Sequence, residues 1–318
     1  MRFALMLEAQ QGLTYDEQLA AASHAETAGF ETFFRSDHYS SFPGPPDNPT
    51  TDAWAVLAGL ARDTTSIGLG TLVSPVTFRA PGNLAKLATT VDAMSGGRLE
   101  FGMGAGWNEV EHAAYGFPFP PIAERADMLE EQLQVVHGLL EGPDGWSFEG
   151  RHYAVTNALV RPKPARHIRL LVGGEGSPRS MRLAVAHADE FNLSSASPER
   201  ATDRFVRLGA ACAAAGRDPA TMARSAMVGV LVGATEDEVA RRVTALLADL
   251  GVDASAPNAG RDWLDARRGR WLIGTPDQAR AMVARYAAAG AERLMLQDFL
   301  ARDLEMIDLL GQELVGAL

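Results

Sequence analysis

The stretch GFETFFRSDHY, residues 29–39, decides how the chain folds. Gly29 ends the apolar-periodic segment TYDEQLAAASHAETAG (14–29), which Thr14 opens as a helix cap. A short aromatic-rich run, FETFFR (30–35), follows and has the length and residue types of a buried strand. Asp37 and His38 then stand side by side at its exit. Strand exits are where α/β folds place their chemistry. A polar pair there can also be a turn or a helix cap.

The same unit recurs outward in both directions. Strands are expected at 2–7, 30–35, 66–73, 98–104, 168–174, 189–195 and 222–233, and an eighth within AERLMLQDF (291–299). A helical pattern follows each. Eight strand–helix units in 318 residues favour a closed α/β TIM barrel, (β/α)8, over a doubly wound open sheet. Insertions are expected after strands 4 and 7. After Gly142 the segment PDGWSFEGRHYAVTNALVRPKPARH carries hairpin and turn signals without a helix period. VDASAPNAGRDWLDARRGRWLIG (252–274) reads as irregular and polar. Within it, 261–271 reads equally as a solvated loop or helix or as a mobile lid over the barrel mouth. RPKPARH (161–167) reads as a stiff loop into the fifth strand. One domain over 1–318 is expected.

Composition bounds the function. Hydrophobic residues make up 47% of the chain, enough for a large core. The single cysteine, Cys212, excludes an intrachain disulfide and a cysteine metal cluster, and reads as a small buried residue on a helix. The histidines are scattered without ligand spacing, so no metal is expected. The net charge of −11 disfavours nucleic acid, whose affinity comes from Lys and Arg on phosphates. No leader h-region and no membrane span are read, so a cytoplasmic protein is expected.

The remaining strand exits carry further candidates. The first ends in Glu8 and Gln10, the third in GTLVSPVTFR, the fourth in GMGAGWNEVEH, the fifth in VGGEGSPRS, the sixth in FNLSS and the eighth in MLQDF. Gly102, Gly104 and Gly106 cluster in one stretch, Gly173, Gly174 and Gly176 in another. Glycine lets a backbone approach a ligand closely. Ser177 and Ser180 then open a helix, and that combination suits an anion. The glycines can equally serve tight strand-to-helix turns. His38 is suited to proton exchange because imidazole titrates near neutrality.

Taken together, GFETFFRSDHY, IGLGTLVSPVTFRAPGNLAKLATTVDAMSGGRLEFGMGAGWNEVEHAAYGFPFPP, ERADMLEEQL and LLVGGEGSPRSMRLAVAHADEFNL resemble the luciferase-like monooxygenase superfamily, and within it the branch that uses the deazaflavin coenzyme F420. The resemblance is strong over about residues 2–195. It implies an oxidoreductase exchanging hydride between C5 of coenzyme F420 and a small-molecule substrate, with FMN and monooxygenation as the alternative, and a homodimer. It places His38 as the proton-exchange group, with Trp107 beside the reacting ring. It implies cofactor contacts from Asp37, Leu72, Val73, Gly104, Ala105, Gly106, Asn108, Gly173, Gly174, Glu175, Gly176 and Ser177. The phosphate would sit on the 173–177 loop with the Glu175 carboxylate pointing away. A non-prolyl cis peptide is implied at Leu72–Val73. Sugar-phosphate dehydrogenases of the family carry an acidic residue where this chain has Trp107, which points instead to a more apolar or planar substrate.

Overall fold

The computed structural model describes residues 1–252 and 259–316. Three strand–helix units and a fourth strand open it: β1 (Arg2–Leu7), α1 (Tyr15–Thr27), β2 (Thr32–Arg35), α2 (Ala53–Asp63), β3 (Gly68–Pro75), α3 (Pro81–Ser95) and β4 (Leu99–Gly104). An insertion follows, with α4 (Glu109–Tyr115), α5 (Ile122–Glu141) and an antiparallel hairpin of β5 (Trp146–Glu149) and β6 (Ala154–Ala158). The barrel resumes through β7 (Arg169–Gly174), α6 (Pro178–His187), β8 (Glu190–Ser194), α7 (Pro198–Ala214), β9 (Ala223–Val232) and α8 (Glu236–Asp249). The second insertion holds α9 (Ala259–Asp265) and a short β10 (Leu272–Gly274). Next come α10 (Pro276–Ala288), β11 (Arg293–Asp298) and α11 (Leu304–Leu310).

The eight barrel strands are parallel, in the ring order β1-β2-β3-β4-β7-β8-β9-β11. The ring closes because β11 pairs with β1, and β9 pairs with both β8 and β11. β10 adds only a spur beside the far end of β9. This is the expected (β/α)8 barrel with its two insertions.

Caps set the helix starts. Thr14 and Glu17 form a capping box on α1, Asp52 caps α2, and Ser177 and Ser197 cap α6 and α7. Strand residues alternate between two environments, as the pleat requires. Leu5, Leu7, Phe33 and Phe101 join the large core between strands and helices. Ala4, Met6, Phe34, Leu72, Leu171 and Met295 form a separate small cluster that fills the bore. Cys212 is fully buried on α7, as expected.

The region expected to be irregular and solvated differs, apart from the helix that 261–271 allowed. α9 and β10 are regular, and Trp263 and Trp271 are buried. Their rings pack edge to face, Trp271 stacks on Phe299 at 5.3 Å, and Arg267 lies 4.0 Å over Trp263. Aromatic burial overrides the polar composition here, and the segment is docked against the barrel mouth. Residues 253–258 of that stretch lie outside the described residues.

Candidate active site

A cavity of about 600 Å³ opens at the C-terminal ends of the strands. That volume falls in the usual range for small-molecule sites, roughly 300–1,000 Å³. It brings together His38, Leu72, Val73, Gly104, Ala105, Gly106, Trp107, Asn108, Gly173, Gly174 and Glu175. Asp37, Gly176 and Ser177 are not among its lining residues.

The exit of β2 explains the separation of Asp37 from His38. Successive residues of an extended chain point to opposite sides. Asp37 turns into the protein and is buried. Its carboxylate accepts from Arg79 Nη1 at 2.6 Å and Nη2 at 3.2 Å, and from Ser74 Oγ at 2.7 Å. Arg79 also bonds Asp52 at 2.6 Å and donates to the Tyr39 hydroxyl at 2.9 Å. Burial alone would lower the Arg79 pKa, but Asp37 and Asp52 raise it above the usual arginine value. Asp37 therefore orders the loop from beneath.

His38 turns the other way. Its Nδ1 lies 2.9 Å from Glu111 Oε2, a carboxylate with a fully buried side chain on α4. The other Glu111 oxygen accepts the backbone N–H groups of Tyr39 and Ser40. No hydrogen bond reaches His38 Nε2 among the described residues. Around the imidazole stand Phe42, with ring centroids 4.5 Å apart, and Trp107, at 5.8 Å, both edge to face. Trp107 is 64% exposed, so it forms a rim and not a floor.

The floor is polar. Glu8 accepts from Gln10 Nε2 at 2.7 Å and from the Gln297 amide, and Ser36 donates to Gln10. Asn192 donates to Ser225 at 2.9 Å.

The glycines serve two purposes. At β3 the Leu72–Val73 peptide is cis, as the resemblance implies, and the β3–β4 register shifts between Thr71 and Ser74. Val73 packs over the neighbouring strands. A Cβ on Gly104 would lie 2.6 Å from Val73 Cγ2, and one on Gly173 would lie 3.0 Å from Val73 Cγ1. Those glycines make room for Val73. Gly174 is different: the nearest atom to its added Cβ is Ser180 Cβ at 3.7 Å. Gly176, at φ +78°, takes the left-handed turn into α6, and a Cβ there would meet Arg204 Cδ at 2.7 Å. The Arg204 Nε is buried without a partner among the described residues. Glu175 points outward to Arg200 at 3.1 Å.

Asn108 caps α4, as its place after the glycine run suits. Sequence reasoning named the strand exits holding Glu8, Gln10, Arg79, Glu111 and Gln297 without giving these residues roles. The spacing Asn108-x-x-Glu111 carried a signal, since it has the form of a capping box. In the structure Glu111 reaches across to the β2 loop instead.

A closed barrel with a polar-floored cavity at the carboxyl ends of its strands has the build of a barrel enzyme. Residues 1–293 match the luciferase-like monooxygenase family, and the chain belongs to it. Its relatives include an F420-dependent glucose-6-phosphate dehydrogenase of Microbacterium testaceum (strain StLB037), 26% identical over 311 residues, spanning 92% of this chain and 90% of that protein. An F420-dependent secondary alcohol dehydrogenase, solved in complex with an F420-acetone adduct, superposes with a TM-score of 0.84 at 20% identity, over 100% of this chain and 99% of that one. The monooxygenase RslO1 from Streptomyces bottropensis superposes at 0.83 and 22% identity, over 99% of each chain. Likeness at these identities shows the fold. No described helix is long and apolar enough to cross a membrane, and no described cluster of His, Cys, Asp and Glu could hold a metal ion.

Proposed function

We propose that the chain is a coenzyme F420-dependent oxidoreductase of a small, uncharged organic substrate, with His38 as the proton donor or acceptor. The observation that carries the reading is His38 itself. It lines the cavity with Nδ1 held by Glu111 and Nε2 free of protein partners among the described residues. The F420-dependent relative that spans most of this chain supports the choice of cofactor.

The residues present fit a flat ring with a phosphorylated tail. Val73 and the side-chain-free strands beside it give a smooth wall, bordered by Leu72 and Gly104. The Gly174–Ser177 loop leads to the capped start of α6, and Arg204 beside it has a donor with no partner among the described residues. N–H groups at a helix start and a guanidinium suit a phosphate. When bound, the deazaflavin supplies the carbon that gives or takes the hydride. His38 holds or releases the proton at Nε2 for the substrate oxygen. Trp107 and Phe42 crowd the substrate and exclude water around that oxygen.

Charge narrows the substrate. The cavity is lined by the carboxylates of Glu8 and Glu111 and, among the described residues, by no Lys or Arg, while Glu175 turns its carboxylate outward to Arg200. Residues 253–258, DASAPN, contain no Lys or Arg either. A phosphorylated substrate would bring charge into this lining without a counter-ion, which is costly in a partly desolvated site. An uncharged alcohol or carbonyl compound fits better than a sugar phosphate.

Titrating the purified protein separately with F420 and with FMN tests the reading. Saturable F420 binding, with F420 reduction by a neutral secondary alcohol and none by glucose 6-phosphate, is expected. Tight FMN binding with oxygen consumption on reduced FMN would replace this reading with a flavin monooxygenase.

A further inference from the structure

We propose that Glu111, and not the adjacent Asp37, is the residue that positions His38, by fixing its imidazole as the Nδ1–H tautomer with the Nε2 lone pair facing the cavity. The proposal rests on the assignment of His38 as the proton-exchange group.

Three observations carry it. First, Asp37 is engaged away from His38. Both of its oxygens are taken by Arg79, and one also by Ser74, on the far side of the loop. Second, Glu111 meets three donor positions at once. Oε1 accepts the N–H groups of Tyr39 and Ser40, and Oε2 lies 2.9 Å from Nδ1. An ionised carboxylate has no proton to offer, so Nδ1 must be the donor. In a neutral imidazole the other nitrogen is then the acceptor, and the hydrogen bond at one nitrogen decides the state of the other.

Third, Glu111 sits on a braced support. Asn108 caps α4, and His112 bonds Thr77 Oγ1 at 2.6 Å from the β3 exit. Tyr115 donates to the Tyr39 carbonyl at 2.9 Å. Helix α4 thus grips the loop at residues 38–40 through Glu111 and Tyr115 together. A carboxylate kept only for folding would need the two backbone N–H groups. The second oxygen, aimed at the imidazole, has no such need.

The geometry makes a substitution informative. In Glu111→Gln, the two backbone N–H groups require an acceptor, so the amide oxygen takes the Oε1 place. The NH₂ group then falls opposite Nδ1 and donates to it. His38 must switch to the Nε2–H tautomer, which turns the atom facing the cavity from acceptor to donor. The wrong tautomer at an otherwise intact site is costly in acid–base catalysis.

The test uses the full chain labelled with ¹⁵N-histidine. Long-range ¹H–¹⁵N spectra without cofactor report each tautomer, and His38 is assigned by the signals lost in His38→Asn. The expected result is Nδ1–H in the wild type and Nε2–H in Glu111→Gln. With F420 and an alcohol substrate, kcat of Glu111→Gln should fall by roughly 10²-fold or more with KM little changed. An Nε2–H imidazole in the wild type overturns the proposal. So does a Glu111→Gln variant that keeps Nδ1–H, or one that switches tautomer and keeps wild-type turnover. Should Glu111→Gln not fold, the wild-type spectrum decides alone. The spectra need no cofactor, so a failure to use F420 would sink the functional reading and leave the tautomer result standing.

Discussion

At the N-terminal end of the barrel bore, carboxylates are matched with arginine. Arg293 bonds Glu100 at 2.7 and 3.0 Å and lies 3.4 Å from Glu190 and 3.2 Å from Glu31. Arg169 adds a second guanidinium 3.2 Å from Glu190, and Thr32 donates to Glu100. At the C-terminal end, among the described residues, Glu8 and Glu111 accept only from amides, backbone N–H groups and an imidazole. Between the two lies the apolar layer of Met6, Phe34, Leu171 and Met295. Charge is cancelled where the bore is closed and left uncancelled where it opens. One end is built for stability, and the other keeps its acceptors free to orient donors. Barrel enzymes divide their ends in this way.

The comparison is broken most severely at His38. Replacing it with Ala should lower turnover by about 10²–10⁴-fold while F420 affinity stays nearly unchanged. A rate assay beside a binding titration reads both quantities. Wild-type turnover would remove His38 from the chemistry.

At the opposite end, Arg293→Met should cost stability and not chemistry. Removing one partner of a buried ion network costs about 3–5 kcal/mol. Denaturant melts measure the loss, and the folded fraction should keep its F420 affinity. The pH dependence sharpens this. Burial pushes the Glu100 carboxyl up, but the Arg293 charge and hydrogen bonds hold it below the ordinary carboxylate range. A depressed carboxyl stabilises the fold above its unfolded pKa of about 4.3 and loses that contribution as pH falls through the folded value. The wild type's advantage over Arg293→Met should therefore shrink in acid. A constant difference would show that the pair carries no linked proton.

Two glycines at the mouth give a smaller contrast. Gly104→Ala forces a Cβ against Val73 Cγ2 at 2.6 Å and should cost about 1–3 kcal/mol by overpacking. Gly174→Ala meets nothing nearer than 3.7 Å and should stay within about 0.5 kcal/mol. If the cofactor passes over Gly174, the second variant should lose F420 affinity at unchanged stability. Equal melts for the two variants would refute the packing argument.

How much of this could be read beforehand follows the range of the signal. The eight strands and most of their helices have local periods, so they were legible, with ends off by about two residues, as usual for such readings. The barrel strand read at 66–73 lies at 68–75. His38, Trp107 and the glycine stretches were legible because strand exits converge in any barrel. The partner of His38 was not. Asp37 is its neighbour in the chain and sits on the other side of the backbone, while Glu111 is 73 residues away and reaches it only through α4. Sequence adjacency says nothing of which carboxylate meets the imidazole, because neighbours in an extended chain point to opposite sides. The docked Trp263 and Trp271 were missed for a related reason. Their burial depends on Phe299, which arrives from a distant strand.

The mildest perturbation concerns Asp298, the last residue of β11, which extends the contrast outside the bore. It is another carboxyl at the open end without an arginine of its own. The neighbouring Arg242 is bidentate to Asp303, at 2.8 and 3.1 Å. Asp298 accepts only the N–H of Leu300, at 2.7 Å, and its second oxygen is buried without a partner among the described residues. Burial pushes its pKa up to about 7, with Asp303 adding to the rise and Leu300 and Arg242 opposing it. The unfolded carboxyl titrates near pH 3.9, so between about pH 4 and pH 7 the folded state holds more protons than the unfolded one. This group's contribution to stability is therefore fully present below about pH 4 and lost as pH rises toward 7. Asp298→Asn keeps an oxygen for Leu300 and removes the ionisation. A shift of about three units sets a ceiling near 4 kcal/mol at pH 8. The unpaired NH₂ of asparagine gives back roughly 1–3 kcal/mol of that. The net expectation is a variant more stable by about 1 kcal/mol at pH 8, a margin that shrinks or reverses at pH 5. Thermal melts at the two pH values measure it. A variant less stable than the wild type at pH 8 would mean that the ionised Asp298 carboxylate is accommodated after all, and the contrast between the two ends would then stop at the bore.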